Sequence, residues 1–245
     1  KFPALNETVD VITKNTTLGG VGTNIAICAA KLGVPTAICA FVGNDFSSTY
    51  EGYMRGTGLI MDDFVKVNGY ETSQCTILNT EDLEQKAVFY QGPQGHASEV
   101  GIKLINSASR SKWVHFCTGD PPYYISLMEE LAHKGVRMSL DPAQEIYKMW
   151  DKDHLEQAMG YCEALFCNDF EAKRIEEILG IGDVMAANMR TVVRTMGKEG
   201  SLARVEGKMF QNPIVKADRV VDTTGAGDSF RAGFYAGLYH KYSMV

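Results

Sequence analysis

The sequence predicts an α/β protein with a doubly wound, mostly parallel sheet and a small β-sheet lid. Two observations carry the prediction. Short apolar runs alternate with amphipathic stretches of about a dozen residues, as buried strands alternate with crossover helices. Two other stretches, 7–17 and 63–91, have β character with no helix between their strands. Thr23-Asn24 caps an alanine-rich helix that ends at Gly33, and residues 36–42 form the strand after it. Residues 113–118 read as a strand, followed by a helix that opens at Pro121 and ends near Gly135. Residues 136–141, 164–167 and 191–196 are further strands, with helices over 153–160 and 169–179. The last helix carries Ala232, Gly233, Ala236 and Gly237.

Within the two β stretches, residues 64–67, 73–78 and 86–90 read as antiparallel strands, with Asn68-Gly69 at a turn. Together with 7–17 they are expected to form one small sheet over the mouth of the main domain, a lid that excludes water. The plainer alternative is a pair of edge hairpins. The expected division is 18–62 and 92–245 for the large domain, with 1–17 and 63–91 for the lid.

A chain of 245 residues fits one large α/β domain with a small appendage. The net charge of −6, without a Lys/Arg block, argues against nucleic acid as a partner. The six cysteines form no CxxC pair, and four lie in apolar runs, as expected of reduced buried thiols in a cytoplasmic protein. No apolar run suits a bilayer span and no leader pattern opens the chain, so no membrane is expected. The chain starts at Lys1-Phe2-Pro3 and stops just after a helix, and segments are expected to be missing at both ends.

The strongest chemical signal is Asp222-Thr223-Thr224-Gly225-Ala226-Gly227-Asp228-Ser229-Phe230-Arg231-Ala232-Gly233. Glycines at 225 and 227 let backbone N–H groups converge at a helix N-terminus, where the dipole favours an anion. A carboxylate at Asp228, beside a bound phosphate, is electrostatically costly. Its natural task is to accept the proton of an attacking hydroxyl. A second signal is Leu18-Gly19-Gly20-Val21-Gly22-Thr23-Asn24, where backbone lies open to a ligand and Asn24 offers a donor and an acceptor. A dinucleotide fold is the rival reading, but Ile25 stands where its third glycine would be. Asn168-Asp169-Phe170-Glu171 lies where a strand becomes a helix, the edge at which open α/β sheets gather their sites, although it also reads as a simple N-cap. Thr195-Met196-Gly197-Lys198-Glu199-Gly200 joins two strands and reads equally as a plain hairpin turn. A Walker-type loop and Gly-x-Ser-x-Gly are absent, and the five histidines show no metal-ligand spacing.

These four motifs, in this order, resemble those of the ribokinase-like (PfkB) carbohydrate and nucleoside kinases. The resemblance implies a large α/β domain with a small β lid. It also implies ATP as co-substrate with Mg²⁺, and Asp228 as the catalytic base. Backbone at Gly225, Ala226 and Gly227 would form the anion hole, and Gly19, Gly20 and Asn24 would face the acceptor. Asn168, Glu171, Thr195, Gly197, Gly200 and Thr223 would lie by the nucleotide, with Glu171 ordering the metal through water. Val42-Gly43-Asn44-Asp45-Phe46-Ser47-Ser48 departs from the family's pattern by lacking its last glycine. The family's first strand and adenine-closing C-terminal part have no counterpart in the sequence.

Residues 82–90 with Gly92-Pro93, Leu140-Asp141-Pro142-Ala143-Gln144 and Phe230-Arg231-Ala232-Gly233 resemble the adenosine-kinase-like branch. They imply a nucleoside acceptor phosphorylated at a primary hydroxyl, with Phe89 or Tyr90 available to stack on a base. The alternatives are a sugar kinase acting on ribose, fructose or a sugar phosphate, and a non-catalytic regulatory protein that keeps the pocket. The open lid sheet also suits pairing with a second copy, a homodimer.

Overall fold

Gly20, with φ 99°, ends the glycine run and opens helix α1 (Val21–Lys31), whose apolar residues Ile25, Ala26, Ile27 and Ala29 are buried. Strand β1 (Ala37–Gly43), helix α2 (Ser48–Gly56) and strand β2 (Ile60–Val67) follow. Ser47 caps α2 by accepting from the Thr49 N–H, and β1 and β2 pair in parallel, as a strand–helix–strand crossover requires. The structure is a computed structural model describing residues 2–80, 85–220 and 223–243. Strands β3 (Gln74–Asn79) and β4 (Gln85–Tyr90) make an antiparallel hairpin. Short helices α3 (Ala97–Val100) and α4 (Asn106–Arg110) lead into the main sheet.

That sheet is built from β5 (Trp113–Phe116), β6 (Arg137–Leu140), β7 (Ala164–Asn168), β8 (Thr191–Thr195), β9 (Ser201–Val205) and β10 (Lys208–Asn212). Its spatial order is β10-β9-β8-β7-β6-β5, with β5 to β8 mutually parallel, β9 antiparallel to β8, and β10 antiparallel to β9. The parallel crossovers are helices α5 (Pro121–His133), α6 (Lys152–Tyr161) and α7 (Asp169–Leu179), and α8 (Ala226–Tyr239) closes the described chain. Alternation along β7 places both faces in cores. Leu165 and Cys167 join the cluster built with α5, α6 and α7, whereas Ala164 and Phe166 pack with Phe230, Phe234 and Tyr235 of α8. Helix α1 lies on α8 through Ile25, Ala29 and Ala232, and the two small alanines bring the helices close. Among the described residues, no helix is long and apolar enough to cross a membrane.

The lid expectation needs two corrections. Residues 7–17 form no strand: Val9, Val11 and Ile12 are exposed, and Thr16 O accepts from the Tyr50 hydroxyl. Residues 63–67 belong to β2, which runs parallel to β1. The unrecognised helix α2 sets that direction, and the Asp63 carboxylate is buried, accepting from the Ser107 N–H at 2.6 Å and Asn106 Nδ2 at 3.0 Å. The small antiparallel sheet is therefore the β3–β4 hairpin.

Candidate active site

The carboxyl ends of the parallel strands gather most of the residues singled out in the sequence. Asn168 ends β7 and is in register with Thr195, which ends β8. Asn168 also caps α7. Its Oδ1 accepts from the N–H groups of Phe170 and Glu171, and Glu171 Oε2 accepts from the Asn168 N–H at 2.7 Å. Asp141 follows β6, its N–H bonded to Phe116 O at the end of β5. The Gly197–Glu199 turn carries β8 into β9, closed by the Met196 N–H on Gly200 O at 2.8 Å. Gly200 has φ 90°, and a Cβ there would strike the Asn212 carbonyl. The hairpin reading of this turn is correct, and it stands beside Asn168.

The glycine turn before α8 comes to the same edge. Gly225 is the left-handed N-cap of α8, with φ 76°. The Ala226 N–H bonds to Thr223 O at 3.2 Å and the Ser229 N–H to Gly225 O. Among the described residues, nothing accepts from the first-turn amides of Gly227 and Asp228, which leaves them available to a ligand. In this structure the Ala226 amide closes the turn. Val221 and Asp222 lie outside the described residues.

Two helix N-termini meet here. Gly20 O accepts from the Asn24 N–H, fixing Asn24 in the first turn of α1, and Asn24 Nδ2 donates to Asp228 Oδ2 at 2.8 Å. Gly19 has open space on its side-chain face. Burial raises the Asp228 pKa above the ordinary value. The Asn24 bond and the Arg231 charge pull it down, and Asp141 pushes it up.

Beneath Asp228 lies an ion network that sequence reasoning missed. Arg231 is 5% exposed and Asp141 1% exposed. Arg231 Nε donates to Asp141 Oδ2 at 2.5 Å, its Nη1 donates to Gly227 O at 3.2 Å, and its Nη2 stands 3.9 Å from Glu171 Oε2. Burial, with the neighbouring Asp141 charge, pushes the Glu171 carboxyl up to about 7. His115 Nε2 is 3.8 Å from Asp141, and its Nδ1 is bonded to Ser139 and Tyr235. Burial drives its pKa down to about 4, so the ring is neutral at pH 7. The available signal was an arginine three positions after Asp228 in an otherwise apolar helix, together with Asp141 at a strand's carboxyl end.

Among the described residues, no three His, Cys, Asp or Glu side chains converge to coordinate a metal directly. Glu171 already holds its capping bond, which suits a contact through water. Three carboxylates (Asp141, Glu171 and Asp228) face one guanidinium, a charge excess that suits a divalent cation.

The sequence pattern described as "pfkB family carbohydrate kinase" matches residues 2–245. The chain is 31% identical over 243 residues to a nucleoside kinase of Methanothermobacter thermautotrophicus, covering 96% of this chain and 75% of that protein. The nucleoside kinase of Burkholderia thailandensis, solved with inosine, superposes with a TM-score of 0.87 at 25% identity, covering 99% of this chain and 80% of that one. The same enzyme has been solved with ADP-inosine, with a TM-score of 0.78, 25% identity and coverage of 97% and 76%. The Methanocaldococcus jannaschii nucleoside kinase, a ribokinase-family member, gives a TM-score of 0.88 at 28% identity, covering 100% of this chain and 80% of that one. The chain belongs to the pfkB family of carbohydrate kinases, has the ribokinase-like fold, and is a phosphotransferase.

Proposed function

We propose that this kinase transfers the γ-phosphate of MgATP to the primary 5′-hydroxyl of a nucleoside, with Asp228 as general base. The observation that carries the reading is the half-buried Asp228 carboxylate. It is bonded to Asn24 and set in the first turn of α8 beside the open Gly227 and Asp228 amides. Asp228 accepts the hydroxyl proton, the 5′-oxygen bonds to the γ-phosphorus, and the bond to the β–γ bridging oxygen breaks as ADP leaves. The amides meet charge developing on the transferring group. Mg²⁺ offsets phosphate charge, and Glu171 and Asn168 would hold it through water; Thr195, Gly197, Gly200 and Thr223 flank the nucleotide. Asn24, with Gly19 and Gly20, receives the ribose.

The nucleoside is favoured by the similarity to nucleoside kinases in Methanothermobacter, Burkholderia and Methanocaldococcus. It is also favoured by Phe89 and Tyr90, aromatic and exposed on β4. We read the β3–β4 hairpin as the lid. Its base is held by Gln91 Nε2 on the Glu145 carboxylate at 3.2 Å, and Lys148 stands over the Phe89 ring at 5.3 Å, on the segment that follows Asp141. The exposed Ile77, Leu78 and Val88 also suit pairing of two hairpins in a homodimer, which sedimentation velocity would detect.

The deciding experiment compares kcat/KM for adenosine, inosine, guanosine and cytidine with that for ribose, fructose and a fructose phosphate under MgATP. At least one nucleoside is expected to lead by tenfold or more, on the order of one stacked base. A free sugar or sugar phosphate with the highest kcat/KM would overturn the nucleoside assignment.

A further inference from the structure

We propose that Arg231 is a positioning residue for phosphoryl transfer, holding the Gly227–Asp228 peptide, and so the Asp228 carboxylate and amide, against the carboxyl end of β6. The inference rests on the reading of Asp228 as the base. Gly227 C=O and Asp228 N–H are the two ends of one peptide unit. Arg231 Nη1 donates to the first end at 3.2 Å, while the second is a first-turn donor with no partner among the described residues. A cation on the carbonyl fixes the plane of the peptide and polarises its N–H toward an incoming anion. The other two nitrogens anchor that peptide, Nε to Asp141 Oδ2 after β6 and Nη2 toward Glu171 Oε2 in the first turn of α7.

Gly227 accommodates this grip. A Cβ there would lie 3.0 Å from Arg231 Nη1, so the guanidinium would have to give by a few tenths of an ångström. A planar fork can hold three directions at once, and a lysine ammonium in its place would satisfy only part of the set. Stability alone is a weak reason to bury such a group, since well-packed apolar side chains often replace a buried ion pair at no cost. The geometry that an apolar residue would lose is the aim of the Gly227–Asp228 peptide.

The test uses the full chain with R231K, R231M, D141N and D228N. It measures ATP-site stoichiometry and Kd, together with kcat and KM for the best acceptor. For R231K and R231M, kcat is expected to fall about 10- to 100-fold, toward the scale of losing one transition-state donor. One ATP site per chain and an acceptor KM within about threefold should accompany the fall, because a contact that acts only in the transition state leaves ground-state binding intact. D141N, which frees the guanidinium from β6 without altering α8, is expected to lower kcat in the same manner, and it decides the matter where the Arg231 variants do not fold. Addition of methylguanidinium to an R231A protein is expected to restore part of kcat, and methylammonium to restore none. D228N well below wild type while R231K, R231M and D141N stay within about twofold in kcat overturns the positioning role alone. Losses confined to KM or to site stoichiometry also overturn it. D228N turning over at the wild-type rate overturns the base reading, and the positioning role with it.

Discussion

Asn24 Nδ2 donates to Asp228 Oδ2 across 2.8 Å, joining the first turns of two helices whose residues lie 204 positions apart. The bond sets one oxygen of the carboxylate and leaves the proposed acceptor-binding residue touching the proposed base. Any hydroxyl that Asn24 helps to place therefore arrives within reach of Asp228. Packing of Ile25, Ala29 and Ala232 between α1 and α8 holds this distance.

Replacement of Asp228 by Asn is expected to lower kcat by about 100-fold or more, the scale of a lost general base. Folding should not suffer. Burial already penalises the charged carboxyl and raises its pKa, and a neutral amide of the same shape escapes that penalty. ADP binding should hold or tighten, because a negative charge leaves the phosphate side of the pocket. Turnover within a few-fold of wild type, measured by coupled ADP release, would remove Asp228 from the role.

Asn24→Ala separates binding from basicity. The Asn24 bond lowers the Asp228 pKa, so its loss raises that pKa further. A general base works only when ionised, so activity fails as pH falls through its pKa. The acid limb of kcat/KM is therefore expected to move to higher pH in the variant. The acceptor KM should rise about tenfold, near the worth of one hydrogen bond. An acid limb that stays in place, in a variant whose KM does rise, would show that a different group sets the limb.

The β8–β9 turn offers a test that leaves the base untouched. Gly200→Ala puts a side chain at φ 90° and against the Asn212 carbonyl. The strain should cost roughly 1–3 kcal/mol in urea unfolding. The turn stands beside Asn168 at the proposed nucleotide end, so the KM for ATP should rise more than that for the acceptor. Equal rises in both would place the turn away from the nucleotide.

The sheet and the two glycine turns were legible in the sequence because each has a local cause. Apolar runs mark the strands, Asn168 with Glu171 marks a capped helix start, and glycines mark backbone that needs positive φ. The errors arose where a long-range partner decides the outcome. Residues 7–17 contain Val9 and Val11 at strand-like spacing, yet the segment pairs with no described strand. Residues 63–67 have hairpin-like polarity, but α2 delivers them parallel to β1, and the Asp63 carboxylate is satisfied by Asn106 and Ser107 far along the chain. Arg231 escaped for the same reason. Its partner Asp141 is 90 positions away, and only the folded sheet brings them together.

Glu171 carries a signature readable without substrate. Its folded pKa, about 7, stands above the ordinary carboxyl value of 4.5. Between those values the folded chain keeps a proton that the unfolded chain has released. The resulting stabilisation is fully present below pH 4.5 and is lost as pH rises through 7, an effect on the order of 3 kcal/mol. Glu171→Gln stays neutral throughout, and its amide oxygen can still accept the Asn168 N–H in the capping box. Urea unfolding at pH 5 and pH 8 is therefore expected to show wild type losing stability relative to the Gln variant as pH rises. His115, neutral and held near 4, titrates in the opposite sense but is shared by both proteins, so the difference isolates Glu171. The same variant should need more Mg²⁺ for half-maximal rate, because the carboxylate that would hold the metal's water is gone. Parallel stability profiles would mean that Glu171 is ionised in the folded protein at pH 5, and the buried carboxyl would then be paired more fully with Arg231 than the 3.9 Å separation implies.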